Sequence, residues 1–265
     1  VDAAGVVLES EDSQWSPGDE VVVTGYELGA GHWGGWAELI RVPSAWVLAR
    51  PEGLTLRDCM SYGTAGLTAA ACVEALRSHG VEPGGEGEVL VTGASGGVGS
   101  IALMLLAKLG YQAVALTGKP QLAKLLEQWG AARVILRDDW QDSSEKPLLR
   151  GNWQGGIDVA GGATLSQLLR ETSPGGTVAA CGMVGGADLP VTVYPFILRG
   201  VTLAGIDSAW TDPQTKAHYW SQLAGPWRLD FPTDYLVETP LAKVDQQVEK
   251  MLQSQTSGRI VVQVT

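Results

Sequence analysis

Residues 89–100 read Val-Leu-Val-Thr-Gly-Ala-Ser-Gly-Gly-Val-Gly-Ser. This pattern predicts an apolar strand, a glycine-rich turn and then an apolar helix. Taken as Ala-x-Gly-x-x-Gly, it assigns the tight turn to Ala94, the close approach of a pyrophosphate to Gly96, and the packing of helix on strand to Gly99. The start of such a helix offers N–H groups and a positive dipole end to phosphates. We therefore predict a dinucleotide-binding turn here rather than a purely structural one.

Strands and helices alternate on both sides of this turn, which is typical of a doubly wound parallel sheet with ligands at the carboxyl ends of its strands. The predicted fold class is α/β. The predicted elements are strand 88–92, helix 97–109, strand 113–117, helix 121–130, strand 134–137, strand 157–160, helix 165–171, strand 176–181 and strand 202–206.

The two ends of the chain have a different texture. Short β-rich runs at 3–9, 20–26 and 36–42 are separated by Gly and Pro, and helical spacing begins near Leu54 and ends near Gly80. A helix at 241–252 and a strand at 259–264 are predicted to return to the first lobe. We therefore expect one lobe made of residues 1–60 and 239–265, and a Rossmann domain at 61–238.

Composition excludes several kinds of partner. The chain has 18 Lys and Arg against 29 Asp and Glu, a net charge of -11, which argues against nucleic acid. Apolar stretches such as 101–107 are too short for a bilayer, and no basic-then-apolar export signal opens the sequence, so a cytoplasmic protein is expected. Cys59, Cys72 and Cys181 are too few and too dispersed for a disulfide framework or a cysteine-rich zinc site, and we expect them to pack as small apolar groups.

The end of the second predicted strand indicates which dinucleotide binds. NAD sites usually place an acid about 20 residues beyond the glycines, whereas NADP sites offer cations to the 2′-phosphate. This chain has Thr117-Gly118-Lys119 there and no acid between Gly99 and Glu127. Arg137, at the end of the third strand, would lie against the adenine or the same phosphate. NADPH is the predicted cofactor; the alternative is that Lys119 and Arg137 are solvated surface cations.

With these features placed, the chain resembles the YhdH-type quinone oxidoreductases, also known as acryloyl-CoA reductases, of the medium-chain dehydrogenase/reductase superfamily. The resemblance runs essentially from end to end. The segments that carry it are His32–Gly35 followed by Trp36–Glu38, Gly63–Ala69, Thr92–Ser100, Ala179–Gly186, Pro195–Val201, Gly205–Ser208 and Ser257–Arg259.

The resemblance implies a Rossmann domain with a β-rich, GroES-like catalytic lobe, and it implies contacts with the coenzyme. It places Met183, Ile197 and Ser208 around the nicotinamide, with Ser254 contributing, although Ser254 stands where the family more usually has an amide side chain. Core packing is the alternative interpretation of Met183 and Ile197. For the other coenzyme contacts the resemblance implies Ser95, Gly96, Gly97 and Val98 at the pyrophosphate, Thr117, Gly118 and Lys119 at the 2′-phosphate, and Arg137 at the adenosine end.

Two departures from the superfamily matter. Val1 stands where zinc-dependent relatives have a metal-binding His before the acid, here Asp2, so we expect no metal site. Family members also carry about sixty further residues before this point, including an Asn-Tyr-Lys-Asp segment whose tyrosine faces the nicotinamide. The chain is therefore expected to lack the start of its catalytic lobe.

The resemblance implies hydride transfer from NADPH to the β-carbon of an α,β-unsaturated thioester, converting acryloyl-CoA to propionyl-CoA. Ser208, Thr64 and His32 are the polar candidates near the reacting atoms. A histidine placed like His32, beside Trp33 in a glycine-rich loop, is more often a structural hydrogen-bond partner than a proton donor. Two alternatives stay open: NADPH:quinone oxidoreduction, and an inactive NADPH-binding fragment. A homodimer is expected by analogy with relatives.

Overall fold

The computed structural model describes residues 1–85 and 87–264; Glu86, and Thr265 at the end of the predicted catalytic lobe, lie outside the described residues. In chain order the strands and helices are β1 Asp2–Val6, β2 Glu20–Thr24, β3 Val47–Ala49, α1 Leu56–Ser78, β4 Glu88–Val91, α2 Gly97–Lys108, β5 Gln112–Thr117, α3 Ala123–Gln128, β6 Arg133–Leu136, β7 Trp153–Asp158, α4 Gly162–Glu171, β8 Thr172–Ala180, α5 Tyr194–Arg199, β9 Thr202–Gly205, α6 Pro213–Ala224, β10 Leu236–Pro240, α7 Val244–Leu252 and β11 Arg259–Gln263.

The middle of the chain forms a parallel sheet of six strands in the order β6-β5-β4-β7-β8-β9. The chain leaves β4 in one direction, through β5 to β6, and then returns to build β7, β8 and β9 on the other side. This is the doubly wound order in which strand order reverses beside the first strand. The predicted α/β Rossmann class is confirmed, and the reversal between β4 and β7 locates the edge at which ligands bind in such sheets.

The apolar runs of β4, β5 and α2 are buried because helices cover both faces of a parallel sheet. Leu90, Val114 and Val178 are fully buried in the sheet, and Leu168 of α4 packs with them. In α2, every residue from Gly99 to Leu106 is buried, which explains why this helix is apolar on all sides. A sheet and helix of this kind hold the turn between them in a fixed position.

The chain divides into two compact units, one made of Val1–Leu67 and the residues from Asp207 onward, the other of Thr68–Ile206. The second unit contains the whole six-stranded sheet. The first unit contains the antiparallel sheet β1-β2-β3 and the parallel pair β10-β11. This division groups residues 207–238 with the first unit, whereas the sequence analysis placed them with the Rossmann domain.

The predicted strand at 36–42 is wrong. These residues have no strand conformation, and β3 at Val47–Ala49 pairs with β2 instead. With β1 on one edge of β2 and β3 on the other, no edge of β2 is left for the 36–42 run. Trp36 is 56% exposed and Leu39 is 72% exposed, so the apolar alternation here does not mark a buried face.

Helix α1 is broken at Gly63, where the predicted helix was continuous. Gly63 has a φ of 53°, and a Cβ there would overlap the Asp2 carboxylate and the Arg259 guanidinium. The Asp2 carboxylate accepts hydrogen bonds from the Thr64 backbone N–H at 2.8 Å and the Thr64 hydroxyl at 2.6 Å. It therefore caps the second half of α1, where an anion is favourable at the positive end of the helix.

None of the helices in residues 1–85 and 87–264 is long and apolar enough to span a membrane.

Candidate functional site

The turn between β4 and α2 is held by backbone bonds to the neighbouring strands. The Ala94 N–H donates to the Leu116 carbonyl at 3.2 Å, and the Thr92 N–H donates to the Ile157 carbonyl at 3.0 Å. The residue in the left-handed region is Gly93, with a φ of 57°, rather than Ala94 to which the sequence pattern assigned the turn. A Cβ on Gly93 would also stand 2.5 Å from the Val159 side chain, so the position requires glycine.

The three-residue spacing of Gly96 and Gly99 separates two roles. A Cβ on Gly99 would overlap the backbone of Gly93 and Ala94, so Gly99 lets α2 pack directly on the turn, as the pattern predicts. A Cβ on Gly96 would meet only the Gly93 carbonyl oxygen at 3.4 Å. Gly96 therefore leaves open space at the N-terminus of α2, which is the space a pyrophosphate needs.

The N-terminus of α2 presents its backbone to that space. Gly96 is the N-cap residue, and no side chain caps the helix. The first N–H groups of a helix have no partner within the helix, and they attract anions. The Ser100 hydroxyl donates to the Gly96 carbonyl at 2.6 Å, which ties down the first turn without covering its N–H groups. The residues present fit the phosphates of a dinucleotide.

The predicted 2′-phosphate residues meet at the ends of β5 and β6. Thr117 pairs with Leu136 in the parallel register, so Gly118 and Arg137 follow at the same level on adjacent strands. The Thr117 hydroxyl is 3.4 Å from the Ser95 hydroxyl and accepts from the Lys119 backbone N–H at 3.1 Å. Burial lowers the pKa of the Lys119 ammonium, as expected for a cation partly removed from water.

Arg137 is close to this corner as well. Its guanidinium carbon lies 3.0 Å from the position that a Cβ on Gly118 would take. Its side chain is 59% exposed and has one distant ion pair, from Nε to Asp138 at 3.7 Å. The structure thus brings Ser95, Thr117, Gly118 and Arg137 together beside Lys119.

Met183 and Ile197 do not pack in the core. Met183 is 70% exposed and Ile197 is 68% exposed, so the alternative interpretation of these two residues as core is wrong. The backbone of Met183 nevertheless packs closely on Gly161, which has a φ of 74°. A Cβ on Gly161 would stand 2.9 Å from the Met183 Cα. The Gly185 N–H donates to the Ala160 carbonyl at 2.7 Å, which holds the same loop from the other side.

A buried carboxylate at the switch point was missed by the sequence analysis. Asp158, at the end of β7, accepts from the Thr92 hydroxyl at 2.7 Å and from the Gly161 N–H at 2.7 Å. Burial raises the pKa of Asp158, and these two hydrogen bonds lower it in part. Together these two hydrogen bonds join the end of β4 to the turn after β7. The sequence did carry a signal for this residue, because Asp158 is an acidic residue within a predicted parallel strand, close to its end.

The remaining candidates belong to the first unit, and the side chains of His32 and Thr64 form hydrogen bonds there. His32 Nδ1 lies 3.0 Å from the Trp33 carbonyl oxygen, which only accepts, so Nδ1 carries a proton and Nε2 is the basic nitrogen of the neutral ring. The Thr64 hydroxyl donates to Asp2. Ser254 is exposed at the end of α7 with a φ of 57°, a conformation that Asn adopts more readily than Ser.

Ser208 lies in a loop that neighbouring groups hold firmly. The Asp207 carboxylate accepts from the N–H groups of Ala209 at 3.2 Å and Trp210 at 3.1 Å, as expected for an Asp in a turn. The Lys216 ammonium, which the sequence analysis did not single out, donates to the Ala209 carbonyl at 2.8 Å and the Thr24 carbonyl at 2.9 Å. The loop therefore presents Ser208 from a fixed backbone.

Comparison with known proteins identifies the family. The profile of the zinc-binding dehydrogenase family matches residues 97–223. The chain is 45% identical over 264 residues to the probable acrylyl-CoA reductase AcuI of Escherichia coli, covering 100% of this chain and 81% of that protein. It is 43% identical over 269 residues to the putative quinone oxidoreductase YhfP of Bacillus subtilis, covering 100% and 80%.

The chain belongs to the medium-chain dehydrogenase/reductase family, in its YhdH/AcuI-type group. Members of this group are oxidoreductases, and the predicted enzyme class is confirmed. Although the family profile is named for zinc, no three His, Cys, Asp or Glu side chains lie close enough to hold a metal ion within residues 1–85 and 87–264.

Solved structures of this medium-chain group contain nicotinamide coenzymes. E. coli K-12 YhdH with bound NADPH has a TM-score of 0.95 at 45% identity, covering 100% of this chain and 81% of that one. B. subtilis YhfP with bound NAD has a TM-score of 0.94 at 43% identity, covering 99% and 80%. These relatives agree with the coenzyme class predicted from the glycine turn.

Proposed function

We propose that the chain is an NADPH-dependent, zinc-independent reductase that converts acryloyl-CoA to propionyl-CoA. The observation that carries the coenzyme assignment is the corner formed by the ends of β5 and β6. There Thr117, Lys119 and Arg137 lie at the strand ends where an NAD site places an acid. The E. coli relative, named a probable acrylyl-CoA reductase, supports the substrate assignment.

Most of the chain's contribution in this proposal is binding and orientation. Ser95, Gly96, Gly97 and Val98 hold the pyrophosphate at the start of α2. Thr117, Gly118, Lys119 and Arg137 select the 2′-phosphate and the adenosine end. The exposed side chains of Met183 and Ile197 supply apolar surface for the nicotinamide. Ser208 and Ser254 are proposed as further contacts.

NADPH, when bound, supplies the hydride for the β-carbon of the unsaturated thioester. The protein orients the reactants and stabilises negative charge on the thioester oxygen. Among the proton-donor candidates, the Thr64 hydroxyl is already committed to Asp2 and His32 Nδ1 to a carbonyl. We propose Ser208, Thr64 and His32 together as the polar groups near the reacting atoms, with no order among them as proton donors.

The coenzyme assignment is tested by Lys119→Ala. Loss of one charge-assisted hydrogen bond to the 2′-phosphate is expected to raise KM for NADPH by about tenfold or more and to leave KM for NADH unchanged. Lys124→Ala, which removes an exposed lysine on the neighbouring α3, is the matched control. Equal KM values for NADPH and NADH in the unsubstituted protein would contradict the assignment.

The substrate is tested by measuring NADPH oxidation with acryloyl-CoA and with a benzoquinone side by side. Quinone reduction is the second candidate because the 43%-identical B. subtilis relative is named a putative quinone oxidoreductase. A higher kcat/KM for acryloyl-CoA supports the proposal. NADPH binding with no turnover of either compound would instead identify an NADPH-binding module without activity.

We also propose a homodimer. The strand β9 is an edge of the six-stranded sheet, and exposed apolar side chains at Val193, Tyr194 and Leu198 lie on the chain just before it. Exposed apolar groups of this kind are typical of subunit interfaces. Size-exclusion chromatography with light scattering is expected to give twice the mass of the chain, and the mass of a single chain would contradict this proposal.

A further inference from the structure

The contact between Arg137 and Gly118 is unusually close. A Cβ at position 118 would stand 3.0 Å from Arg137 Cζ, 3.0 Å from Nη2 and 3.2 Å from Nη1. Nearly all real Cβ contacts are longer than this. A Cβ at position 118 would therefore press on the guanidinium, which would have to shift by a few tenths of an ångström.

Backbone conformation does not explain the glycine. Gly118 is not among the residues with a positive φ, so an alanine adopts the same backbone without strain. Gly93, in the turn after β4, has a φ of 57° and does require glycine for its conformation. What the missing Cβ provides at position 118 is room for the guanidinium.

The sheet register explains why these two residues meet. Thr117 and Leu136 are partners across β5 and β6, so the next residue on each strand is Gly118 or Arg137. Lys119 follows directly, and the Thr117 hydroxyl accepts its backbone N–H. The Arg137 guanidinium therefore lies beside Gly118, between Thr117 and Lys119 in the sequence, the two residues that we propose as its partners in binding the 2′-phosphate.

The ion pair between Arg137 and Asp138 is weak. Asp138 is the carboxylate that faces Arg137, at 3.7 Å from Nε, and its side chain is 83% exposed. A contact of that length in water contributes little, so the terminal nitrogens on the Gly118 side are available to a ligand. We therefore attribute the position of the Arg137 side chain to its contact with Gly118 more than to its ion pair with Asp138.

We propose that Gly118 is a specificity-determining residue, which selects NADPH over NADH by leaving the space in which Arg137 reaches the 2′-phosphate. This inference rests on the proposed NADPH-dependent function. It assigns Arg137 to the phosphate that distinguishes the two coenzymes, and not only to the adenine that both of them carry. Gly118 acts through Arg137 and is a positioning residue.

The test is a double-mutant cycle with Gly118→Ala, Arg137→Ala and the double variant, read as the ratio of kcat/KM for NADPH to that for NADH. Gly118→Ala is expected to lower this ratio by about tenfold, the effect of losing one charge-assisted bond. In the Arg137→Ala background the same substitution is expected to change the ratio little, because the group that it displaces is already gone. Gly5→Ala, at a strand position with nothing within 4 Å of the added Cβ, is the matched control.

The possible outcomes distinguish this inference from the function on which it rests. If the unsubstituted protein shows no preference for NADPH, the proposed coenzyme is wrong. If Arg137→Ala lowers the ratio and Gly118→Ala does not, or if the two effects add, the role of Gly118 is wrong and the coenzyme assignment stands. If Arg137→Ala weakens both coenzymes equally, the guanidinium serves the adenine and the inference is overturned. Equal melting temperatures of all variants establish that the ratios report binding and not unfolding.

Discussion

Glu171 shows how much a single buried polar group organises in the second unit. Its carboxylate oxygen Oε2 accepts from the indole N–H groups of Trp153 at 2.9 Å and Trp140 at 3.1 Å, and from the Asn152 amide at 3.1 Å. Its other oxygen accepts from Gln167 at 2.8 Å. The carboxylate matches this site because it has acceptors only and faces donors only.

We expect Glu171→Gln to lower the free energy of unfolding by about 1–3 kcal/mol, because the amide turns an N–H donor toward at least one donor that then has no acceptor. Urea unfolding followed by tryptophan fluorescence measures this directly. Glu127→Gln, an exposed position on α3, is the control and should change little. Unchanged stability of Glu171→Gln would show that the four bonds are not important to the fold.

Lys216 is the corresponding buried cation in the first unit. It is 1% exposed, and its ammonium donates to two carbonyls and lies 3.2 Å from the centre of the Tyr26 ring. Burial lowers its pKa from 10.5 to about 8, against the attraction of Asp207 and Asp2. A neutral amine keeps two N–H donors, so both carbonyls stay satisfied when the proton leaves.

The folded chain is therefore expected to release the Lys216 proton at a lower pH than the unfolded chain. Between pH 8 and 10.5 the unfolded state holds more protons, so the contribution of Lys216 to the free energy of unfolding rises with pH. Denaturation of the protein and of Lys216→Met at pH 7 and pH 9.5 measures it. The stability difference between the two should grow in favour of the unsubstituted protein at the higher pH; a constant difference would show that Lys216 does not titrate in this range.

At the scale of elements, the β4–α2 turn contains one glycine that is needed for packing and, three residues earlier, one that leaves space for a ligand. Gly99 is in contact with the backbone of the turn, whereas Gly96 faces open space. Both glycines belong to one pattern in the sequence, but only Gly99 is required for packing. The two positions therefore offer a direct comparison.

We expect Gly96→Ala to fold with a nearly unchanged melting temperature and to bind NADPH about tenfold or more weakly, because the methyl group enters the phosphate space. Gly99→Ala should instead lose stability, by about 1–3 kcal/mol, because overpacking forces α2 away from the turn. Thermal unfolding and a fluorescence titration with NADPH measure the two effects. Tight NADPH binding by Gly96→Ala would remove the turn from the coenzyme site.

At the scale of the whole molecule, charge is a constraint on the proposed function. The chain has a net charge of -11 and is proposed to bind a coenzyme that is itself an anion. Long-range attraction therefore does not contribute, and binding must come from local groups within the screening length of about 8 Å at physiological salt. The corner at Lys119 and Arg137 supplies such groups in one place.

Coenzyme binding should stabilise the folded protein as a whole. At a concentration about 100 times Kd, NADPH is expected to add about 2.7 kcal/mol to the free energy of unfolding. For a chain of this size that corresponds to a rise in melting temperature of about 5–10 °C. Differential scanning fluorimetry with NADPH and with NADH at equal concentrations tests this, and NADH should give the smaller shift. Equal shifts would contradict selection by the 2′-phosphate.

The sequence alone determined the class of sheet, the glycine turn and the family, because each of these depends on local patterns. Apolar strands that lead into apolar helices are typically buried in a parallel sheet covered on both faces, and Gly93 and Gly99 stand where the backbone needs glycine. The hydroxyl of Thr117 and the positive charge of Lys119, at the end of a predicted strand, also identified these residues as candidates for the 2′-phosphate.

Only the tertiary structure decided which distant residues meet. Strand register set Arg137 against Gly118, the order of strands brought Thr92 to Asp158, and the break at Gly63 let Asp2 cap Thr64. The 36–42 run shows the converse, since its alternation is that of a strand but both edges of β2 were already paired. The physical reason is the same in each case: periodicity reports the conformation that a segment prefers, whereas partners across the sheet are chosen by competition among all segments for the same edges and the same space.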